Sequence, residues 1–238
     1  MNIALIGYGR MGHEIEEAAL KRGHVIKIII DEINTADLKP LNFKEVDVAI
    51  EFSIPGSAFR NITKCLEMRI PVVSGTTGWL HDYEKVAGIC RKNETSFIHS
   101  SNFSLGVNIL FRLNNILAGL MEHYPNYTPF IEEIHHVKKL DAPSGTAINL
   151  ANAITSRHKG YKGWTPESGG PGDMVHINSV REGSVPGTHV ITWNSEIDNI
   201  SLRHEARSRQ GFALGAVIAA EFISVRKGVF IMDDVLGF

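Results

Sequence analysis

The chain begins with a short apolar strand, a glycine-rich turn and a helix, and this order restricts its fold more than any other feature. "NIALI" (2–6) suits a buried strand, and "GYGRMG" (7–12) follows it at once. "HEIEEAALKRG" (13–23) has the apolar spacing and the closing glycine of a helix, and "HVIKIIID" (24–31) is a second strand that ends in Asp31. Strand, G-x-G-x-x-G turn, helix, strand and acid, in this order, predict a dinucleotide-binding unit.

Each glycine of the turn has a separate physical reason. Gly7 permits the tight turn, Gly9 lets a pyrophosphate approach the backbone, and Gly12 lets the helix pack closely on the strand. The N–H groups at the start of the helix then attract the phosphate charge. The alternative is a tight strand-to-helix turn that binds no ligand.

The acid at the end of the second strand bears on the choice of cofactor. Asp31 can accept hydrogen bonds from the ribose hydroxyls of NAD. Glu32 and Ile33 follow it, where a site for NADP often has a basic residue. The pattern favours NAD, and Arg10 in the turn keeps NADP open because it could meet a 2′-phosphate.

Strands and helices alternate as far as Phe103, which predicts an α/β fold with a Rossmann-type, doubly wound parallel sheet. Ligands bind such sheets at the carboxyl ends of the strands. The turns at 53–56, 75–78 and 100–103, which follow three predicted strands, are therefore candidate ligand contacts.

The pattern changes after Phe103. A long amphipathic helix (106–124), a strand (128–137), a helix (144–158) and three period-two strands predict a second, α+β domain with an open, mostly antiparallel sheet. Segment 159–173 is rich in glycine and proline and is predicted to be a mobile loop that exposes Trp164.

The last apolar segment (211–228) is predicted to be a buried helix that returns to the first domain. We therefore predict a dinucleotide-binding domain of residues 1–103 plus 212–238, and a substrate-binding and oligomerisation domain of residues 104–211.

Composition and charge argue against several classes of protein. The 238 residues include 24 Lys and Arg against 26 Asp and Glu, so a net charge of -2 gives no reason to expect nucleic acid as a partner. The start of the chain lacks a signal-peptide pattern, and no apolar run approaches the roughly 20 residues that cross a bilayer. With two cysteines only, we expect a cytoplasmic protein without a membrane partner.

Segment 133–147, "EIHHVKKLDAPSGTA", gathers many titratable groups. His135 and His136 are neighbours at a strand end, where adjacent side chains point to opposite faces, so they cannot share one task. No cysteine lies nearby, and Glu132 and Glu133 precede the histidines on the same strand instead of facing them. We therefore predict no metal site.

The second half of the segment predicts an anion site. Ser144 is a good helix N-cap, and Gly145 and Thr146 supply backbone N–H groups at the start of the helix. Lys138 or Lys139, with a histidine, could donate protons beside it. The alternative is a solvated basic loop. The preceding dinucleotide-binding unit favours the anion site, because a reduction needs a proton donor and a substrate clamp in addition to the hydride carrier.

"HHVKKLDAPSGTA" resembles the signature H-H-x-x-K-x-D-A-P-S-G-T-A of the 4-hydroxy-tetrahydrodipicolinate (dihydrodipicolinate) reductase family. "GRMG", "GTTG", "SNFSLGVN", "VREGSVPGTH" and "FALGAVIAA" resemble other family segments in family order, so the resemblance covers essentially the whole chain. It implies NAD(P)H-dependent reduction of 4-hydroxy-tetrahydrodipicolinate, a small dicarboxylate, to tetrahydrodipicolinate in the diaminopimelate route to lysine. It also implies a homotetramer.

The resemblance implies roles for individual residues. His135 is implied to be the catalytic acid–base group and Lys139 the proton donor, while His136, Gly145 and Thr146 bind the carboxylates of the substrate. The residues implied to hold NAD or NADP are Gly7, Tyr8, Gly9, Arg10, Met11, Gly12, Asp31, Gly75, Thr76, Thr77, Ser100, Ser101, Asn102 and Phe103.

The chain departs from the family pattern in two places. The glycine turn is one residue shorter than in many members, and Val137 and Lys138 fill the variable positions of the signature, where only the spacing favours Lys139 over Lys138. Two other classes stay open: another Rossmann-type oxidoreductase, such as an amino-acid or semialdehyde dehydrogenase, and a non-catalytic dinucleotide sensor. The histidine–lysine signature speaks against both.

Overall fold

A computed structural model of the chain describes residues 1–166 and 172–238. Two compact units make up these residues: Met1–Leu105 with Gln210–Phe238, and Gly106–Arg209. From the sequence, the chain is expected to cross between its two domains after residues 103 and 211. In the described ranges, no helix has both the length and the apolar character that a membrane span requires.

The first unit is built on a six-stranded sheet. Its strands are β1 (Asn2–Ile6), β2 (Val25–Ile30), β3 (Val48–Glu51), β4 (Val72–Ser74), β5 (Ser96–His99) and β11 (Gly228–Phe230). They lie in the order β11-β5-β4-β3-β1-β2, and every pairing is parallel. The predicted parallel sheet is confirmed. Strand β11 was not predicted, because three residues are too few to show a period.

Helices cover both faces of this sheet, as a doubly wound fold requires. They are α1 (Arg10–Lys21), α2 (Pro55–Glu67), α3 (Tyr83–Lys92), α6 (Gln210–Ile223) and the short α7 (Met232–Leu236). Helices α2 and α3 pack on one face, and α1 and α6 pack on the other. Helix α6 approaches closely because it is rich in small residues: a Cβ on Gly215 would lie 1.7 Å from the carbonyl oxygen of Phe103.

In its described residues, the second unit has a five-stranded sheet and two helices. The strands are β6 (Thr128–His135), β7 (Gly163–Thr165), β8 (Met174–Arg181), β9 (Thr188–Asn194) and β10 (Asn199–Glu205), in the order β10-β9-β6-β8-β7, and the helices are α4 (Leu105–Met121) and α5 (Gly145–Arg157). Both helices contribute to one core with Ile131, Ile191 and Trp193 of the sheet. The predicted α+β architecture is confirmed.

The strand directions differ from the expectation of a mostly antiparallel sheet. The pairings of β9 with β6 and with β10 are antiparallel, but β8 runs parallel to both β6 and β7. The sheet is therefore mixed. The physical reason is the crossover through α5, which brings the chain back in the direction of β6; period-two alternation reveals strands but not their directions.

The glycine- and proline-rich segment is only partly a loop. Residues 163–165 form β7, which pairs with β8, and the half-buried Trp164 packs against the core of the second unit. The prediction of an exposed Trp164 is therefore wrong, because the aromatic ring finds an apolar partner surface. The part of the predicted loop at 167–171 lies outside the described residues.

Candidate active site

The glycine turn joins β1 to α1 under tight steric limits. Gly7 has a φ of 93°, and a Cβ there would lie 2.1 Å from the carbonyl oxygen of Phe52. A Cβ on Gly12 would lie 2.6 Å from the carbonyl oxygen of Gly7, so this glycine permits the close packing of the helix. Gly9 is the N-cap of α1, and no atom lies within 4 Å of where a Cβ on Gly9 would be, so its backbone is open to a ligand.

A cavity of about 510 Å³ lies at the carboxyl ends of β1, β2 and β3. It is lined by Ile6, Gly7, Tyr8, Gly9, Ile30, Asp31, Glu32, Thr35, Phe52, Ser53, Ile54, Ser57 and Asn61. Gly9, with its open backbone, and Asp31 thus line one cavity, beside a helix start that favours anions. These residues fit a dinucleotide, with its pyrophosphate at the turn and a ribose near Asp31.

Other predicted cofactor residues do not line this cavity. Arg10, Met11 and Gly12 form the first turn of α1, and the turns at 75–77 and 100–103 lie after β4 and β5. The side chain of Phe103 is buried in the core, with its ring centroid 5.9 Å from that of Phe52. Its position therefore serves packing, and only its backbone is left for a ligand.

A buried carboxylate that was not predicted from the sequence connects the turns at 53–56 and 75–78. Glu51, the last residue of β3, has no exposed surface and accepts hydrogen bonds from Ser74 Oγ (2.7 Å), Thr76 Oγ1 (2.9 Å) and the backbone and hydroxyl groups of Ser53. Burial raises the pKa of Glu51 more than these hydrogen bonds lower it. An acid inside the apolar run "VDVAIEF" was the available signal.

The second unit places His135 on the helix-covered face of its sheet. His135 ends β6, is 7% exposed, and shares its face with Glu133 two residues earlier. Glu133 pairs across the sheet with His189 of β9, while His135 pairs with Arg181 of β8. The His135 Nδ1 atom lies 3.4 Å from Glu133 Oε2, and the two histidine rings are 5.1 Å apart.

The expectation that Glu133 does not face the histidines is wrong. Glu133 does face His135, and donor atoms of Glu133, His135 and His189 all lie within 4.8 Å of one another, a spacing that could hold a metal ion. However, Arg181 Nη2 donates to Glu133 Oε1 at 3.0 Å. A guanidinium on the same carboxylate opposes a second cation there. The histidine pair that shares this cluster is His135 with His189, not His135 with His136.

The two lysines of the signature differ in their surroundings. Lys139 Nζ donates to both carboxylate oxygens of Asp141 at 2.9 Å, and its side chain is 22% exposed. Its charge is close enough to contribute to the low pKa of His135, after the larger effect of burial. Lys138 is exposed. The two lysines therefore differ in burial and in hydrogen bonding, whereas in the sequence they differ only in their spacing from the histidines.

The start of α5 is capped as the sequence predicted. Ser144 is the N-cap, and its Oγ accepts a hydrogen bond from Ala147 N at 3.2 Å. Gly145 is exposed and has no atom within 4 Å of where a Cβ would lie, so a ligand can reach this backbone; Thr146 follows it in the first turn. His136 is half-buried, and its carbonyl accepts from Lys139 N at 3.0 Å.

Burial controls the charge of the two clustered histidines. It lowers the pKa of His135, and it lowers the pKa of His189 to about 4. Glu133 behaves in the opposite sense: burial alone would raise its pKa, but hydrogen bonds from Ser144 and Arg181 hold it below its usual range. Near neutral pH the cluster therefore contains an anionic Glu133, a cationic Arg181 and a neutral His189.

Three residues of this cluster were not predicted from the sequence: Glu133 as a partner of His135, Arg181 and His189. The first could have been found, since residues two apart on a strand share a face. Arg181 in "SVREG" and His189 in "GTHV" lie 46 and 54 residues beyond His135. Only the pairing of β6 with β8 and β9 brings them close to His135.

The parallel sheet with its cavity at the glycine turn, and the acid–base cluster beside a helix start in the second unit, define a pyridine-nucleotide-dependent oxidoreductase of the Rossmann type. Comparisons with known proteins give the family. The family profiles described as "Dihydrodipicolinate reductase, N-terminus" and "Dihydrodipicolinate reductase, C-terminus" match residues 1–103 and 106–236. The chain belongs to the dihydrodipicolinate reductase family, which confirms the resemblance seen in the sequence.

Individual relatives agree with this assignment. The chain is 54% identical over 237 residues to the 4-hydroxy-tetrahydrodipicolinate reductase of Christiangramia forsetii, covering 99% of this chain and 98% of the relative. It is 34% identical to the enzyme of that name from Methanosarcina acetivorans, covering 99% and 89%. The solved structure of a dipicolinate-bound dihydrodipicolinate reductase from Paenisporosarcina sp. shares the fold, with a TM-score of 0.78, 24% identity and 97% coverage of both chains.

Proposed function

We propose that this chain reduces 4-hydroxy-tetrahydrodipicolinate to tetrahydrodipicolinate with NADH or NADPH, as a step of the diaminopimelate route to lysine. The observation that carries the proposal is the gathering of His135, Lys139 and the start of α5 on one segment that matches the family signature. This segment combines proton-transferring groups with an anion site, and the proposed substrate is a cyclic dicarboxylate that must receive a proton.

The chemistry divides between the cofactor and the chain. Loss of water from the 4-hydroxy compound gives the dihydro compound, and addition of a hydride and a proton then gives the tetrahydro product. The bound nicotinamide supplies the hydride. In this proposal the N–H groups of Gly145 and Thr146, with His136, hold the two carboxylates, which fixes the ring for reaction.

Lys139 is the proposed proton donor, and His135 is the proposed acid–base group. Asp141 holds the Lys139 ammonium in place through two hydrogen bonds. His135 is neutral near pH 7 because burial lowers its pKa, so it can accept a proton. Lys138, which is exposed, has no role in this scheme.

The test is a coupled assay in which dihydrodipicolinate synthase and its substrates supply the substrate, and oxidation of NADH or NADPH is followed. We expect His135→Ala and Lys139→Ala each to lower kcat by about two orders of magnitude or more, the usual contribution of a positioned acid–base group, with NADH binding retained. Lys138→Ala is the matched control and should keep wild-type kcat. No substrate-dependent oxidation by the wild type would reject the function, and near wild-type kcat in either variant would reject that residue's role.

We also propose that the cofactor preference leans toward NADH. Asp31 and Glu32 both line the cavity, and a 2′-phosphate would meet their negative charge. Asp31→Ala should raise KM for NADH far more than KM for NADPH, measured in the same assay. An equal change of both KM values would refute the contact between Asp31 and the ribose.

We further propose a cytoplasmic homotetramer. Strand β10 is an edge strand with mostly exposed residues, and an uncovered edge invites pairing with another copy. The free cysteines Cys65 and Cys90 are buried thiols, which suits a reducing compartment. Sedimentation should give four chains per particle; a dilute, fully active monomer would contradict the assembly. Cell fractionation tests the location.

A further inference from the structure

We propose that Glu133 is a positioning residue that fixes the His135 imidazole and the start of α5 through one carboxylate. This inference rests on the proposed function, because it gives the proposed acid–base group and the proposed carboxylate clamp a common support. Glu133 lies two residues before the family signature, which begins at His135, and is not among the residues for which the resemblance implies a role.

The contacts of the Glu133 carboxylate point to both elements. Ser144 N donates to Oε1 at 3.0 Å and to Oε2 at 3.1 Å, so the carboxylate holds the N-cap residue of α5 by its backbone. Oε2 also lies 3.4 Å from His135 Nδ1. The position of the helix start relative to His135 thus depends on a side chain that is itself 0% exposed.

The surroundings keep this carboxylate charged and immobile. Arg181 Nη2 donates to Oε1 at 3.0 Å and to the carbonyl oxygen of Asp141, which supplies the opposite charge that a buried anion requires. His189 Nε2 lies 3.8 Å from Oε2 and 3.3 Å from Ser144 Oγ, and closes the remaining side. Residues of two neighbouring strands and one helix start therefore hold Glu133 in place.

The orientation of His135 follows from this. Its buried Nδ1 has no hydrogen-bond partner at 3.4 Å, and a small approach to Oε2 would make Nδ1 a donor. An imidazole held in that way presents Nε2 as the acceptor, the form needed to take up a proton. The fixed negative charge also favours the imidazolium that results, since Glu133 raises the pKa of His135 against the larger effect of burial.

The experiment compares Glu133→Gln, Glu133→Asp and Glu132→Gln with the wild type in the coupled assay, across pH. Glu132 is the matched control because it is the neighbouring glutamate on the opposite face of β6, where Asn178 donates to it at 3.2 Å. In Glu133→Gln we expect kcat to fall about tenfold to a hundredfold, part of what a positioned acid–base group contributes, while KM for NADH is unchanged. Glu132→Gln should match the wild type.

The pH profile separates a positioning role from a merely structural one. His135→Ala identifies the limb of the kcat profile that belongs to His135. In Glu133→Gln this limb should move to lower pH, because the charge that favours the imidazolium is gone. Glu133→Asp keeps the charge but moves it away by one methylene, so kcat should fall while the limb keeps its pH. This variant tests the positioning role even if Glu133→Gln does not fold.

Two outcomes would overturn the inference alone: an unmoved limb in a folded Glu133→Gln, or wild-type kcat in Glu133→Asp. Both leave the proposed function intact, provided that the wild type oxidises NADH with substrate and that kcat of His135→Ala is about two orders of magnitude lower. An inactive wild type would instead reject the proposed function, and the inference with it.

Discussion

Acid should destabilise the second unit through His189, which is buried without its proton. His189 is 4% exposed on β9, opposite Glu133 in the sheet register. Burial lowers its pKa from 6.5 to about 4, with the nearby His135 as a further cause. In the unfolded chain the ring is solvated and takes up its proton at the ordinary value.

The sign and the size of the effect follow from these two values. Between pH 6.5 and about 4 the unfolded chain binds a proton that the folded chain does not, so the contribution of His189 is fully present above pH 6.5 and is lost as the pH falls. At about 1.4 kcal/mol per pKa unit, the whole loss is about 3 kcal/mol, of which about 2.5 kcal/mol has occurred by about pH 4.5.

The variant His189→Gln tests this without a large change in size. Its amide can still bond to Ser144 Oγ, which lies 3.3 Å from His189 Nε2, but it does not titrate. Urea unfolding of both proteins at about pH 7.5, 5.5 and 4.5 gives the free energy of unfolding. The wild type should lose about 2.5 kcal/mol more than His189→Gln over this range.

The control is His123→Gln, because His123 is exposed just after α4 and is equally solvated in the unfolded chain. Its unfolding free energy should follow that of the wild type across the range. Parallel losses in wild type and His189→Gln would refute the reasoning, since they would mean that His189 takes up its proton in the folded protein. NMR of the folded protein gives a second test: a His189 ring resonance that titrates between about pH 7.5 and 5.5 would also refute the reasoning.

Two further predictions concern the first unit. Gly215→Ala should lower the free energy of unfolding by about 3 kcal/mol, since its Cβ would lie 1.7 Å from Phe103 O. Gly88→Ala, on the exposed side of α3 with open space around it, should instead raise the free energy of unfolding by about 0.5–1 kcal/mol. Urea unfolding measures both variants, and equal free energies would contradict the close packing at Gly215. Because burial raises the pKa of Glu51, the wild type should lose stability relative to Glu51→Gln as the pH rises above 4.5; a constant difference between the two unfolding curves would show that Glu51 ionises freely.

Local signals in the sequence predicted the features that depend on neighbouring residues. The glycine turn needs only the order of strand, glycines and helix, and the Ser144 cap needs only a serine before an apolar helix, so both were correct. The mixed sheet and the position of Trp164 depend on partners far along the chain. Alternation of period two cannot tell a parallel from an antiparallel neighbour, and a loop composition cannot reveal the surface on which Trp164 packs.

The candidate site shows the same division. His135, Lys139 and Gly145 could be selected from one segment because the family signature fixes their spacing. Strand geometry then adds a residue that the signature does not contain: Glu133 shares the face of His135, because the two are two residues apart on β6. Arg181 of β8 and Ser144, the N-cap of α5, fix the charge of Glu133, and they reach it only when the sheet and the helix have formed. Without them, Glu133 would be a solvated side chain with no fixed relation to His135. The segment 133–147 therefore acquires a defined acid–base geometry from the folded sheet, and its residues alone would form the basic loop that composition suggests.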